Sequence, residues 1–306
     1  MAPEPALAAD ASDVPLPAAD GFAAYAVTTR SGPHVTVQAG VVQAGRFITT
    51  TSRSSLKAKA VRRHGSAAVV VEHDDRTEVL AGASVSVDLR HPEGMLLDPA
   101  GALVAGPAAL RLAGDQLEQL LGYLEVAGSV PTGWLPHNRV LLVTRIDRTM
   151  QLHGFELLDA AGDWAGDPGD AADVLVATER EPGALPRLPD PVAHLVHLDA
   201  PARIGLTTDA GPAVLPARWA GDDRFHVSAA ALARLGAELP GRGCATFDDS
   251  ADRRPDRKRG VMLRGDVQLT DVDRDRATIA LATGRITSWD GFSASTVDAA
   301  EDGGPA

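Results

Sequence analysis

Strand-like apolar runs separated by turns begin at Phe22 and set the plan of the chain. Phe22 to Thr29 reads as a first strand, Gly32-Pro33 marks a turn, and Val35 to Val42 carries β-branched residues in a second strand. Gly45 marks another turn before a third strand, Arg46 to Thr50. Ser54 or Ser55 then offers a hydroxyl to cap a helix that runs to about Arg63. Ser66 to Glu72 is a Val-rich strand, and Asp74-Asp75 turns it into Glu78 to Val87, a hairpin. Between Pro107 and Ala127 the period changes: Leu110, Leu117, Leu120, Leu121 and Leu124 fall on one helical stripe. Arg139 to Ile146 returns to strand. The unit predicted is antiparallel β with two helices.

Asp159 to Pro191, rich in Asp, Gly, Ala and Pro, reads as a connector with one short helix around Ala171 to Thr178. Beyond it the first pattern returns. Thr28-Thr29-Arg30-Ser31-Gly32-Pro33 becomes Thr207-Thr208-Asp209-Ala210-Gly211-Pro212, and Arg46-Phe47 becomes Arg224-Phe225. Ser66 to Val70 becomes Gly243 to Phe247, Val79 to Gly82 becomes Met262 to Gly265, and Arg145-Ile146 becomes Arg285-Ile286. Five matches in unbroken order predict a duplication. Too few residues separate Val272 from Ala277 for the second unit to repeat the long helix. Two β units with exposed edges gain by packing on each other, and a duplicated chain can do alone what a homodimer does with two copies. The expected layout is a tail (1–19), a first domain (20–158), a linker (159–191), a second domain (192–298) and a short tail (299–306).

The stretch from Arg46 to Lys59 is where the two units differ in chemistry. It runs Arg-Phe-Ile-Thr-Thr-Thr-Ser-Arg-Ser-Ser-Leu-Lys-Ala-Lys, a strand, a hydroxyl-rich turn and the start of a basic helix. Aligning Leu56 with Leu232 sets Ala230, Ala231 and Ala233 against Ser54, Ser55 and Lys57. A helix N-terminus presents unpaired N–H groups and a partial positive charge, so it favours an anion, and Ser or Thr hydroxyls add donors. Lys57 adds a full charge about one turn in, whereas Arg62 and Arg63 lie farther along and face solvent or pair with acids. The plain alternative is a solvated basic helix with a serine cap. Loss of the polar positions in the second copy favours a ligand site, one per chain.

Composition narrows the partners. A formal charge of −12 over 306 residues argues against a nucleic-acid surface, which needs clustered Lys and Arg. The single Cys244, in a short apolar run, excludes an intramolecular disulfide framework and a Cys-based zinc site and reads as a buried, inert thiol. No apolar run approaches a membrane span. Met1 to Asp20 lacks the basic and apolar regions of a signal peptide and reads as a disordered tail, so a cytoplasmic location is the default expectation. His194-x-x-His197 has the spacing of a metal pair but sits on an apolar alternating stretch without a third ligand. Lys258 and Arg259 lie in a charge run and are read as solvated, and Trp219 as packing. Trp134 and His137 sit in a Pro-rich loop with the reach of a cover. No Walker loop, GxGxxG fingerprint or Ser-His-Asp order is present.

The Thr-Thr…Gly-Pro hairpin, the strand running into Thr-Thr-x-x-Ser-Ser-Leu-Lys-Ala, and the later strand ending in Gly82 together resemble the FMN-binding split barrel of the pyridoxamine 5'-phosphate oxidase-like superfamily. The resemblance covers roughly residues 20 to 150, with a weaker copy over roughly 192 to 298. It implies a mainly β fold, two tandem split β-barrels with peripheral helices packed as an intramolecular pseudo-dimer. It also implies a flavin between the barrels, its phosphate held by Thr50, Thr51, Ser52, Ser55 and Lys57 with Arg53 nearby. Trp289, in Trp289-Asp290-Gly291-Phe292, would reach the ring system from the facing barrel or simply pack. The activity implied is FMN-dependent oxidoreduction of a small molecule, with no nucleic-acid or membrane partner. The protein would be a monomer with its internal pseudo-dimer, or a further homo-oligomer. Alternatives are a deazaflavin (coenzyme F-420) reductase, whose acidic tail needs a longer basic groove, a haem protein, and a non-catalytic binding or structural protein that keeps the fold.

Overall fold

A computed structural model describes residues 20–73, 76–88, 138–166, 174–249 and 257–299. The helix expected at 107–127, the Trp134/His137 loop, the Asp74-Asp75 turn and both tails lie outside the described residues. Of the short helix expected at 171–178, Val174 is helical and residues 175–178 are not.

Seven strands form the first sheet: β1 (Asp20–Thr29), β2 (Gly32–Gln43), β3 (Arg46–Ser52), β4 (Ser66–Glu72), β5 (Thr77–Asp88), β6 (Arg139–His153) and β7 (Glu156–Ala161). Their order is β3-β2-β1-β4-β5-β6-β7, and a β3–β6 ladder closes the first six into an antiparallel barrel. The second sheet repeats this with β8 (Pro201–Thr208), β9 (Gly211–Trp219), β10 (Arg224–Ser228), β11 (Gly241–Asp248), β12 (Arg259–Val272), β13 (Arg276–Asp290) and β14 (Ser293–Asp298), closed by β10–β13. Helix α1 (Leu56–His64) follows β3, α2 (Asp190–Ala193) precedes β8, and α3 (Ala229–Leu235) follows β10.

Alternation decides which core each side chain joins. On β1, Ala23, Tyr25 and Val27 point into the first barrel with Phe47, Leu80 and Leu142. Their neighbours Ala24 and Ala26 point the other way, with Val35, Ala68 and Val70, into a core shared with Ile204, Val214, Leu215 and Phe247 of the second barrel. The Tyr25 hydroxyl, wholly buried, is satisfied by Ser84 Oγ at 2.9 Å and Thr144 Oγ1 at 3.2 Å. Strands buried on both faces read as continuous apolar runs, which is why Ser66–Glu72 shows no alternation.

The two barrels face each other about a pseudo-two-fold axis. Strand β4 packs on β9 and β11 packs on β2, each contact the image of the other. The tips agree: Gly32, at φ 104°, would place a Cβ 3.0 Å from Arg242 Cβ, and Gly211, at φ 113°, would place one 2.9 Å from Ser66 Oγ. Both the left-handed conformation and the close approach require glycine there. Across this interface Arg203, 4% exposed, holds a carboxylate from each barrel. Its Nε and Nη2 donate to Glu72 at 3.1 and 2.9 Å, and its Nη1 donates to Asp248 at 2.5 Å. Glu72 and Asp248 close equivalent strands, β4 and β11.

The ladders test the sequence matches one by one. Thr28–Pro33 and Thr207–Pro212 fall in register, with Thr29 and Thr208 each donating to the glycine carbonyl across the turn. Val79–Gly82 and Met262–Gly265 do too, and both end at the same bulge. Three matches slip. Ser66 corresponds to Arg242, one residue from Gly243. Arg285, paired with Arg264, corresponds to Arg148, paired with Ala81, and so lies three residues from the match with Arg145. Phe225, paired with Trp219 and Ile279, corresponds to Thr49, paired with Gly40 and Leu142, two residues from Phe47. A two-residue slip leaves every side chain on its face, and a one-residue slip is silent in a strand buried on both faces.

Replacing Arg203 by Met should destabilise the protein by about 3 kcal/mol, because Asp248 is left buried and uncompensated. Adding Asp248→Asn should recover part of that loss, measured by urea denaturation of the single and double variants.

Candidate functional site: a cationic seat where the first barrel splits

The β2–β3 ladder ends at Gly40–Thr49. Beyond that point β2 continues along β1 and β3 continues along β6 to Ser52, so the two strands part. Into this split projects Gln38 from β2, on the same face as Val42. Lys57, the second residue of α1, reaches it: Nζ donates to Gln38 Oε1 at 2.6 Å. Ser55 fixes the helix start by accepting from the Ala58 N–H at 3.1 Å, and Ala58, Ala60 and Val61 bury the helix on the barrel.

The other expected residues divide. Thr51 Oγ1 donates to Ser55 Oγ at 3.1 Å, and Thr50 Oγ1 accepts from Arg139 Nη2 at 2.7 Å and Nε at 3.1 Å, so both lie at the split. Ser52 shares a hydrogen bond with Ser54 at 3.1 Å on the exposed side of the turn. Arg53 turns away to an ion pair with Asp88, and its N–H donates to the Asn138 carbonyl at 2.8 Å. Arg62 and Arg63 are exposed. Trp289 stands on β13 against Gly260, where any Cβ would collide with the indole. That glycine lies two residues after Lys258.

Lys258 is where the expectation of a solvated charge run fails. Its ammonium lies 3.0 Å over the ring of Phe22, a cation–π contact made across the barrels. Lys57 is half-buried as a residue, yet its ammonium is enclosed. Burial first, and then the charges of Arg139 and Lys258, push its pKa down to about 7. All three causes act in the same direction. Gln38 Nε2 is buried and has no partner among the described residues. Close by, His34 Nδ1 accepts from Arg264 Nη2 at 2.6 Å, and burial, then Arg264 and Lys57, lower the imidazole to about 3, so it is neutral at physiological pH. Gln38, Arg139, His34 and Arg264 carried no local sequence signal. They come from three strands, β2, β6 and β12, and only the fold gathers them.

A buried ammonium beside other cations and an unpartnered amide N–H is unfavourable by itself and becomes favourable with an anion between them. The donor set therefore fits a phosphate or carboxylate. The second barrel has lost it. Counterpart positions are Ala217 for Gln38, His226 for Thr50, Val227 for Thr51 and Ala233 for Lys57. One hydroxyl survives out of place: Ser228 caps α3, accepting from the Ala231 N–H at 3.2 Å, and that helix starts at Ala229, the counterpart of Arg53. The polar turn Arg53–Ser55 of the first barrel is the first helical turn of the second. His194 and His197 lie at and after the end of α2, not on a strand, and among the described residues no group of three His, Cys, Asp or Glu could hold a metal. Among the described residues no helix is long and apolar enough to cross a membrane.

No protein-family model and no curated protein matches the chain. Solved structures do. General Stress Protein 26 from Bacillus anthracis str. Sterne is similar at 10% identity, covering 44% of this chain and 84% of that one with a TM-score of 0.29. An F420 reductase is similar at 17% identity over 42% of this chain and 89% of that one, TM-score 0.28. A pyridoxamine 5'-phosphate oxidase-related, FMN-binding protein from Nostoc punctiforme PCC 73102 is similar at 14% identity over 43% and 74%, TM-score 0.31. The fold is a pair of split β-barrels in tandem, each closed by six antiparallel strands. Strand order and barrel closure carry that statement; no activity passes to this chain from likenesses of this size.

The tandem split barrel should show the strain of its seat as a pH dependence. Between pH 7 and 10.5, the folded and ordinary pKa of Lys57, the unfolded chain holds a proton that the folded chain does not. Stability without ligand therefore rises with pH across that window. Lys57→Met should remove the slope and raise the urea midpoint at pH 6, with little change at pH 10.

Proposed function

We propose that the chain binds one flavin-type cofactor, FMN foremost, between its barrels and serves as a flavin-dependent oxidoreductase acting on a small molecule. The observation that supports it is the enclosed Lys57 ammonium at the split, flanked by Arg139 and Lys258 and facing the unpartnered amide of Gln38. Lys57 and Gln38 would hold the phosphate, with Thr51 and Ser55 turning their hydroxyls to it from the start of α1. Lys258 and Trp289 would close the site from the second barrel. When bound, the cofactor supplies two-electron transfer at its N5, and the protein supplies position, charge and exclusion of water. That division of labour agrees with the lack of a catalytic acid or base in the sequence.

One observation supports the deazaflavin reading as the second choice. Arg264, held by the neutral His34, extends the positive charge past Lys57, as a ligand with more than one anionic group would need. Haem finds less support: His34, the imidazole at the seat, accepts at Nδ1, so its Nε2 carries the proton and offers no lone pair to iron.

Purified protein titrated with FMN, F-420 and riboflavin tests the reading by fluorescence quenching. FMN is expected to bind one per chain and more tightly than riboflavin, which lacks the phosphate. Lys57→Ala with Ser55→Ala should weaken FMN roughly ten- to a hundredfold, the effect of losing one charge-assisted hydrogen bond, with an unchanged circular dichroism spectrum. Unaltered affinity sinks the seat; protein that takes up none of the three is a binding or structural module. In a pH series, FMN affinity should fall as pH rises through about 7, where Lys57 loses its proton, and Lys57→Arg should flatten that fall.

A further inference from the structure

The pseudo-two-fold axis makes two clefts. The first lies between the split of barrel one and the β11–β12 hairpin and β13–β14 turn of barrel two. Its image lies between barrel two and the β4–β5 hairpin and β6–β7 turn of barrel one. Counterparts are plain across the pair: Pro201 stands where Phe22 stands, Ala217 where Gln38 stands, and Gly154 (φ 59°) where Gly291 (φ 56°) stands. The hairpin ends match as well, His73 N–H donating to the Arg76 carbonyl at 2.8 Å and Asp249 N–H to the Arg259 carbonyl at 3.0 Å.

This second cleft is open, with a volume of about 370 Å³, within the size range of small-molecule sites. Its chemistry is its own. Where the first cleft has Lys57 and Gln38, the second has two alanines, so no phosphate seat remains at its base. Its walls are the flat faces of Pro201, Pro216 and Phe155, the last held edge-on by His226 at 6.4 Å and 89°. Its polar groups are His73, Arg76, His153 and Arg218, with Glu72 and Thr77 beside them. Among the described residues two carboxylates lie near, and neither cancels them fully. Both oxygens of Glu72 are taken by Arg203. Glu78, 2% exposed, is behind the hairpin, 3.9 Å from His73 Nε2 and 3.8 Å from Arg76 Nε, too far for hydrogen bonds. Both nitrogens and Glu78 Oε1 are buried with no hydrogen-bond partner among the described residues. Both donors thus lie toward Glu78 with their hydrogen-bonding capacity unspent.

We infer that the second cleft is a separate ligand site for a small planar ring acid, an aromatic or heteroaromatic monocarboxylate. Its ring lies between Phe155 and the two prolines, and its carboxylate meets Arg76 and Arg218, with His73 donating from the side. Duplication thereby separated two duties that a symmetric pair of clefts would perform in duplicate. The inference does not rest on the cofactor proposed for the first cleft.

Benzoate is the probe, titrated into the full chain and followed by ligand-observed NMR and calorimetry. Saturable binding of one benzoate per chain is expected, undiminished by saturating FMN. Arg76→Ala with Arg218→Ala should weaken it at least tenfold; both side chains reach the surface, and an unchanged melting temperature verifies that the variant folds. Phe155→Ala should weaken it too, and benzamide, of equal shape without the charge, should bind at least tenfold more weakly than benzoate. Absence of saturable binding at millimolar benzoate overturns the inference. So does displacement of benzoate by FMN, which would put both in one cleft, and so does binding of two FMN per chain. Failure of FMN to bind at all, with benzoate still bound and still sensitive to the arginine pair, would remove the cofactor proposal and leave this one standing.

Discussion

Strands β1, β2 and β4 must bury both faces, and everything else in the molecule is arranged around that requirement. One face fills the first barrel; the other lies against β8, β9 and β11 of the second. Apolar burial drives this, at about 25 cal/mol per Å² removed from water, but burial alone does not fix how two such surfaces meet. The polar contacts do. Arg203 sits between Glu72 and Asp248, which are equivalent residues of the two barrels, so one guanidinium bridges the pseudo-axis. The arrangement is not itself symmetric: the counterpart of Arg203 is Ala24, buried in the shared core. A pair of identical chains would place two arginines or none. Covalent duplication allowed one.

The same facing of barrels creates the clefts, because each barrel opens where its second and third strands part. A split leaves backbone and side-chain groups without ladder partners, and a protein must either fill the gap or give it a ligand. The two barrels took different courses. The second begins its helix at once after β10 and packs α3 with alanines and leucines. The first keeps three more residues of turn, delays the helix, and encloses the ammonium of Lys57 instead. Enclosing a cation among cations opposes folding, and an anion between Lys57, Arg139 and Lys258 would relieve that cost.

Much of the fold was legible because turn chemistry and apolar runs are local. Gly32-Pro33 and Gly211-Pro212, the hydroxyl of Thr29 or Thr208 bonding across the turn, and Gly82 or Gly265 at the bulge each act within a few residues, and the repeat was readable from them. Register was less legible. Arg46-Phe47 and Arg224-Phe225 look alike but occupy positions two residues apart, a displacement invisible to a pattern of period two. The site was half legible. Ser55 and Lys57 stand out beside a helix start, whereas Gln38 is one polar residue on a long strand, Arg139 opens another, and Lys258 is submerged in a charge run between the exposed Arg257 and Arg259.

What the sequence determined by itself was the β-rich, duplicated plan and the asymmetry of one hydroxyl-rich, basic turn, since composition and short-range chemistry suffice for those. Tertiary structure alone decided that Arg53 would turn aside to Asp88, that Lys258 would cross from the second barrel to lie over Phe22, and that a second cleft would stay open with different walls. Those outcomes depend on groups far apart along the chain, 35 residues for Arg53 and Asp88 and more than two hundred for Lys258 and Phe22, meeting in space. There, burial and charge act through space, and no spacing along the chain records them.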